Sequence, residues 1–205
     1  MPELPEVETV RLALSKIVYN SKIEDVDVRR SDLRWKIKKS LKHDLENDYF
    51  KQPLRRGKYI LIPTIKDNIF LIHLGMSGQI KIRDNFESIF KHDHVRLTIK
   101  SENDKRYFIT YNDPRRFGFI DLFHKKEINE HFLLKKLGVE PFEKNFNVGY
   151  LQSMFDKKMK CIKDTLMDQS VIAGIGNIYA SEILFIAKVN PYRSAKTLNL
   201  SLIHI

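Results

Sequence analysis

The change from short apolar runs to helical spacing near residue 124 constrains the fold of this chain most strongly. Between about residues 22 and 124, runs rich in Ile, Val, Phe and Tyr alternate with turn residues, a pattern typical of β-strands. Six or seven such strands indicate an antiparallel sandwich or barrel. The predicted strands are Ile23–Val28, Tyr59–Pro63, Ile69–His73, Gln79–Arg83, Val95–Ile99, Tyr107–Tyr111 and Phe117–Phe123.

Helical spacing occurs on both sides of this strand region. Residues 5–18 place apolar side chains three or four positions apart, which predicts an amphipathic N-terminal helix. After about residue 126 we predict a helix ending at Gly138, a second over residues 148–167 and a third over residues 178–187. The chain is therefore predicted to be α+β, with an N-terminal helix plus antiparallel β-sandwich domain at residues 1–125 and a helical domain at residues 126–205.

Charge and cysteine content narrow the function. The net charge of +10 favours a polyanionic partner, either nucleic acid or an anionic membrane surface, although solvated lysines alone would give the same total. Eleven of the twelve arginines, whose planar forks suit phosphates and base edges, lie between Arg11 and Arg116. The one cysteine, Cys161, excludes an internal disulfide and a multi-cysteine metal site.

Targeting features are not evident. The glutamate-rich start does not resemble a signal peptide. No apolar run approaches the ~20 residues that a membrane-spanning helix needs. We therefore expect a cytoplasmic protein, in agreement with the reducing compartment that the single cysteine suggests.

The first residues can supply a nucleophile. If Met1 is removed, Pro2 presents a secondary amine that can attack an aldehyde-like carbon and form an iminium. An α-amino group titrates near pH ~8, so part of it is neutral at neutral pH, and Glu3 can move protons beside it. The alternative is an ordinary helix start, with Pro5 in the first turn and Glu6 complementing the helix dipole. These residues alone leave both interpretations open.

Three further segments combine glycine with basic or large apolar side chains. Lys58 follows a basic pair and a glycine at the start of a strand, and Met76 lies at the tip of a glycine-flanked turn. Arg115 and Phe117 share a turn opened by Asp-Pro. Exposed Met and Phe can wedge between bases, and Arg can hold a phosphate or touch an orphaned base. The alternatives are a solvated strand end, a Met folded onto the core and Phe117 as a core residue.

Phosphate-binding candidates occur in both predicted domains. A Gly-Ile-Gly segment precedes Asn177, which suits a helix N-cap or a phosphate donor, although a plain helix–turn–helix corner explains it equally well. Lys158 belongs to a basic stretch that is otherwise a solvated face. His92 and His94 lie on one strand face and resemble a metal pair. Without a third ligand, we favour phosphate contact or core packing for these histidines.

In this order, the segments resemble bacterial formamidopyrimidine-DNA glycosylase, a base-excision family that acts on oxidised purines. Leu4 and the Met-bearing turn favour it over the related endonuclease VIII branch. The matching motifs are Met1 to Thr9, Lys58-Tyr59 after a basic pair, His73 to Gly78, Lys91 to Val95, Asp113 to Gly118 and Gly174 to Glu182.

The resemblance implies a reaction and its catalytic groups. Pro2 would attack C1′ of the damaged nucleotide, and Glu3 would donate the proton that helps to open the sugar. Lys58 would lie at the lesion and its phosphate, and Glu6 would order the N-terminal helix. The reaction would be cleavage of the N-glycosidic bond followed by β- and δ-elimination at the abasic site.

The resemblance also implies the fold and the DNA contacts. The helical domain would be a helix–two-turns–helix domain following the β-sandwich. Three residues would fill the gap left by an everted base, namely Met76, Arg115 and Phe117. Three others would hold phosphates, namely His92, Lys158 and Asn177.

One departure from the family affects the expected cofactor. The family continues into a C-terminal four-cysteine zinc finger, whereas these 205 residues contain one cysteine and end in the apolar run Leu198 to Ile205. We interpret that end as a truncation, with no metal and no cofactor expected in this chain. The expected partner is double-stranded DNA with oxidised purines or abasic sites, bound by a monomer in the bacterial nucleoid. The alternative is a weakly active or non-catalytic DNA-binding remnant.

Overall fold

A computed structural model describes residues 2–198 and divides the chain into two compact units, Met1–Asn129 and Glu130–Ile205. The division lies four residues after the boundary predicted at 125/126. Removal of Met1 and the apolar end at residues 199–205 lie outside the described residues.

The first unit is a β-sandwich with an N-terminal helix. The helices are Leu4–Val18 (α1) and Leu41–Leu45 (α2). The strands are Lys22–Val28 (β1), Leu54–Arg56 (β2), Tyr59–Pro63 (β3), Asn68–His73 (β4), Gln79–Arg83 (β5), Asp93–Lys100 (β6), Arg106–Asn112 (β7) and Phe119–His124 (β8). These strands form two antiparallel four-stranded sheets, in the orders β1-β6-β7-β5 and β2-β3-β4-β8, so the sandwich rather than the barrel is correct.

The core of this unit lies between the sheets and explains why the strands form. Alternate side chains of β6, Val95 and Leu97, are buried in the same apolar cluster as Ile60 of β3 and Ile72 of β4. Burying such a side chain contributes about 1.5–3 kcal/mol, and on β6 the alternation turns the polar side chains Arg96 and Thr98 to the opposite face.

Helix α1 closes one side of the same core. Val7, Leu14 and Val18 are almost completely buried in the inter-sheet cluster, at the helical spacing that the sequence predicted. This packing fixes the start of α1, and with it residue 3, relative to the sheets.

Between residues 130 and 198, the second unit contains three α-helices, Val148–Phe155 (α3), Ile162–Met167 (α4) and Asn177–Ile186 (α5). Its apolar cluster includes Phe155, Leu166 and Leu184 from these helices.

Two helix predictions were wrong in this unit. The helix predicted over residues 148–167 is divided into α3 and α4, because the backbone at Cys161 is extended and pairs with Ser194. The helix predicted to end at Gly138 is a series of turns. The N–H of Gly138 donates to the carbonyl of Gln169, 2.8 Å away, instead of continuing a helix. In both places a contact distant in sequence overrides the local apolar spacing.

In the first unit, the predicted strand Phe117–Phe123 begins at Phe119 instead. Arg116 has a φ of +57°, and the N–H of Gly118 donates to the Asp113 carboxylate, so this stretch is a turn. The short strand β2 and the short helix α2 were not predicted.

Candidate active site and nucleic-acid interface

The start of α1 holds a buried carboxylate next to residue 2. Glu3 is the N-cap of α1 and its residue is only 1% exposed. Glu3 and Glu6 form a capping box, in which the N–H of Glu3 donates to Oε2 of Glu6 at 2.9 Å and the Glu3 carboxylate accepts the N–H of Glu6. The helix start and the candidate chemistry are therefore one arrangement, and the two interpretations of these residues are compatible.

Lys58 lies in the two-residue turn between β2 and β3, after Gly57, whose φ is +55°. The residue is only 6% exposed. Burial lowers the pKa of the Lys58 ammonium, and the negative charges of Glu3 and Glu6 partly oppose this effect. The structure therefore brings together three predicted site residues, Glu3, Glu6 and Lys58, with Pro2 directly before them in the chain.

An ion-pair network joins α1 to β2, the strand before this turn. The Glu8 carboxylate accepts from Arg55 at 3.0 Å and from Arg11 at 2.6 Å. The two guanidinium groups, Arg11 first, lower the pKa of Glu8, while burial opposes them. Sequence analysis missed the roles of Glu8 and Arg11. Their i,i+3 spacing on a helix was a local signal for the pair, but nothing local indicated the bond to Arg55.

The two predicted turns that follow β4 and β7 are tied together by Asp113, which is fully buried. Its carboxylate accepts from the Ser77 hydroxyl at 2.5 Å, from the Gly118 N–H at 2.8 Å and from the Tyr111 hydroxyl at 3.3 Å. Burial, together with the Asp113 charge, raises the pKa of Tyr111, so its hydroxyl remains a donor. Sequence analysis assigned Asp113 only the opening of a turn.

Glycine is required where these turns approach each other. Gly75 has a φ of +62°, and a Cβ there would lie 2.3 Å from the backbone nitrogen of Gly118. A Cβ on Gly118 would lie 1.9 Å from the Tyr111 hydroxyl. Any side chain at either position would push the turns apart.

Met76, Arg115 and Phe117 line one open cavity of about 650 Å³ between these turns. Met76 is 45% exposed and Phe117 44% exposed, so neither is folded onto the core. The Arg115 guanidinium lies 4.7 Å from the centre of the Phe117 ring. The predicted wedge residues are therefore adjacent and accessible.

The segment after β1, which sequence analysis did not single out, also lines this cavity. Asp32 and Arg34 line the cavity, and Asp32 accepts from Arg116 at 3.1 Å and from Arg30 at 2.7 Å. The cluster of basic residues near Arg34 was the available sequence signal.

The histidines divide into buried and accessible groups. His94 is buried and its Nε2 lies 2.8 Å from the carbonyl oxygen of Asp113, whereas His92 is half-buried. Burial, then the charges of Arg34 and Lys58, lower the pKa of His73 to about 4, so its imidazole is neutral at neutral pH. His73 and His92 are both partly exposed, and a phosphate contact by His92 remains a prediction.

In the second unit, the candidate phosphate residues lie around two turns. The Lys158 ammonium is 2.8 Å from the Asp168 carboxylate. Burial by itself would raise the pKa of the Asp168 carboxyl, but the hydrogen bonds from Lys158 and Ser170 outweigh it and lower this pKa to about 2. Gly176, not Asn177, is the N-cap of α5. Asn177 is the first residue of the helix, and its side chain is exposed. The N-cap interpretation of Asn177 was therefore wrong, whereas a donor role remains a prediction.

Residues 2–198 contain no group of three or more His, Cys, Asp or Glu side chains arranged to hold a metal ion. Cys161 is a free thiol and cannot supply four thiolates, so we derive no chemical step through zinc. None of the helices in this part of the chain has the length and apolar character to span a membrane.

Comparison with known proteins agrees with this architecture. Residues 1–120 match the formamidopyrimidine-DNA glycosylase N-terminal domain, and residues 137–205 match the formamidopyrimidine-DNA glycosylase H2TH domain. The chain belongs to the formamidopyrimidine-DNA glycosylase family. The family and the fold class predicted from the motifs are thus confirmed.

Individual members of the family are similar over almost the whole chain. A formamidopyrimidine-DNA glycosylase of Bartonella henselae is 42% identical over 208 residues, covering 98% of this chain and 72% of that protein. The Lactococcus lactis enzyme non-covalently bound to DNA with an abasic site gives a TM-score of 0.89 at 32% identity, covering 98% of this chain and 76% of that one. The structure of the same enzyme with DNA containing N7-benzyl-Fapy-dG also gives a TM-score of 0.89, at 33% identity. The match covers 99% of this chain and 74% of that one.

Proposed function

We propose that this chain acts in base-excision repair as a DNA glycosylase and abasic-site lyase that removes oxidised purines from double-stranded DNA. The proposal rests on one observation above the others. The buried carboxylate of Glu3 directly follows Pro2, whose nitrogen becomes a secondary amine once Met1 is removed, and the buried amine of Lys58 in the β2–β3 turn feels the charge of Glu3.

Pro2 is the proposed nucleophile once Met1 is removed. Its amine attacks C1′ of the damaged nucleotide, the N-glycosidic bond breaks, and the departing base takes up a proton. Glu3 protonates the ring oxygen of the sugar, which opens and leaves an iminium between Pro2 and C1′. Loss of a C2′ proton then expels the 3′ phosphate, and loss of the C4′ proton expels the 5′ phosphate. Water finally hydrolyses the iminium and frees the Pro2 amine.

Lys58 is proposed to act as a third catalytic group. Its amine is held in a rigid two-residue turn beside Glu3 and Glu6, where it can contact the sugar or its phosphate. Glu6 is proposed as a positioning residue, because it accepts the N–H of Glu3 and so fixes the start of α1.

The cavity between the two turns supports eversion of the base. Met76 and Phe117 are proposed to enter the gap in the stack, and Arg115 to face the opposite base. Unstacking costs a few kcal/mol, and apolar and cationic wedges offset part of that cost. His92, Lys158 and Asn177 are proposed to hold the phosphates around the lesion.

The partner is therefore damaged duplex DNA, bound by a monomer. The relatives are bacterial proteins, and the proposed substrate places this protein with the chromosome in the bacterial cytoplasm.

Borohydride trapping tests the proposed chemistry directly, because only an iminium becomes covalently fixed. We expect the protein with Pro2 at its N-terminus to form an adduct on duplexes carrying 8-oxoguanine or an abasic site. The matched control retains one residue before Pro2, which converts the amine to an amide and should abolish trapping without loss of DNA binding. Equal trapping by both proteins would refute Pro2 as the nucleophile. DNA binding without trapping in either would indicate a non-catalytic protein.

A further inference from the structure

The outer face of the first sheet contains a small cavity beside a buried arginine. Val95 and Leu97 of β6 point into the core, so Arg96 between them points to the opposite face. There Arg96 lies directly across from Thr110, and Thr110 lies across from Lys81 on β5. The loop after β5 covers this row, leaving a cavity of about 60 Å³.

Arg96 is bonded incompletely at this cavity. The residue is only 7% exposed. Its Nε donates to the Thr110 hydroxyl at 3.4 Å, its Nη2 donates to the carbonyl of Glu87 at 3.2 Å, and its guanidinium lies 5.1 Å from the Phe86 ring. The buried Nη1 has no hydrogen-bond partner among the described residues.

The charge at the cavity is also uncompensated. Of the other cations lining it, Lys81 pairs with Asp93 at 3.1 Å and Arg83 pairs with Glu87 at 3.1 Å. Among residues 2–198, no carboxylate lies within ion-pair distance of Arg96. The three cations and two carboxylates therefore leave one unpaired positive charge, on Arg96, the most buried of the three cations.

We propose that this cavity binds a small oxyanion of the phosphate type, held by Arg96 at its free Nη1 and bordered by Thr110 and Lys81. A guanidinium is not deprotonated in proteins, so burial cannot be relieved by loss of the charge. Water would satisfy the N–H groups but would leave the charge uncompensated. An oxyanion does both, and it matches the planar fork of arginine.

The position of the site suggests what the ion does. The covering loop leads into His92, whose carbonyl accepts the N–H of Asp113, the residue that ties the two DNA-facing turns together. A bound oxyanion fastens this loop to β6 and β7. Because the cavity is small and lies beneath a loop, it admits a free ion and excludes the backbone of a duplex.

Thermal unfolding in inorganic phosphate, compared with sodium chloride at equal ionic strength, tests the proposal. Phosphate well above its Kd should raise the Tm of the wild-type protein by roughly 5 °C. Arg96→Met should lose this shift. Lys158→Gln, which removes a proposed DNA-phosphate ligand instead, should keep it. A phosphate shift that survives Arg96→Met, or is lost in Lys158→Gln, overturns the proposal, as does the absence of any shift in the wild type.

A second measurement needs no variant and decides the matter if Arg96→Met does not fold. Crystals of the wild-type protein are soaked in selenate, a tetrahedral oxyanion with an anomalous signal. A selenium peak within hydrogen-bond range of Arg96 Nη1 supports the site. A cavity without such a peak, in crystals where selenate occupies other positions, rules it out.

Discussion

At the residue scale, the proposed chemistry depends on charged groups beside residue 2, of which Glu3 and Lys58 are buried whereas Glu6 is exposed. Burial alone would favour a neutral Lys58. Glu3 and Glu6 oppose this at Lys58 by raising its pKa towards the usual value. The capping box also fixes the carboxylates through backbone N–H groups, so their positions do not depend on the presence of substrate.

Glu3→Gln and Glu6→Gln form a matched pair that separates catalysis from helix capping. Glutamine retains an oxygen acceptor, so both variants should keep the capping box. Their free energies of unfolding should lie within about 1 kcal/mol of the wild-type value. Glu3→Gln removes the proposed proton donor and should slow excision by roughly 10²- to 10⁴-fold. Single-turnover excision of 8-oxoguanine from a duplex measures this effect. Equal losses in the two variants would show that Glu3 acts only through the helix.

The charge at Glu6 should also shift the pH dependence of the reaction. The Glu6 carboxylate raises the pKa of Lys58, so Glu6→Gln should lower that pKa further below its usual 10.5. If Lys58 acts as an ammonium, the alkaline limb of the rate profile moves to lower pH in this variant. Single-turnover rates across the alkaline range measure the shift. An unchanged limb, or one moved to higher pH, would contradict this role of Lys58.

At the element scale, two turns rather than strands form the surface proposed to enter DNA. Asp113 joins the turn after β4 to the turn after β7 through Ser77 and Gly118. The strands that carry these turns were predicted from short runs rich in Ile, Val, Phe and Tyr between turn residues, although β8 begins two residues later than predicted. The three-residue strand β2 was not predicted, since it contains two arginines and has no alternation of its own.

Phe117→Ala should impair the reaction on duplex DNA without unfolding the protein. The Phe117 side chain is nearly half exposed, so its truncation should leave the Tm almost unchanged. Loss of the wedge should slow excision from a duplex by roughly tenfold or more, while borohydride trapping on a single-stranded abasic site is retained. Ile65→Ala, which truncates an exposed residue in the turn between β3 and β4, is the control. A parallel loss on single-stranded DNA would place Phe117 in the chemical step instead.

At the scale of the whole molecule, the net charge of +10 and the two units together determine how DNA is held. Lysine and arginine provide affinity that does not depend on base sequence, through release of counterions from the phosphates. The candidate phosphate ligands occur in both units, so each unit should contribute to the salt dependence of binding.

Lys158→Gln should reduce the slope of log K against log salt concentration by about one unit, because one phosphate contact is lost. Lys105→Gln is the control for a general loss of charge, since Lys105 precedes β7 at the end of that strand opposite to the turn proposed to enter DNA. Fluorescence anisotropy with a labelled abasic duplex measures both slopes. Equal slopes for Lys158→Gln and the wild type would remove Lys158 from the interface.

The sequence by itself determined the change from strands to helices, the family and the motifs that carry the candidate residues. These features depend on side-chain periodicity and on local glycine-containing turns, which neighbouring residues alone specify. The bond from Arg55 to Glu8, the role of Asp113 as the link between two turns, and the break at Cys161 were decided by the tertiary structure. The tertiary structure also decided the burial of Glu3 and Lys58, because only folding brings distant segments over these side chains. The lowered pKa of Lys58 is a consequence of that burial.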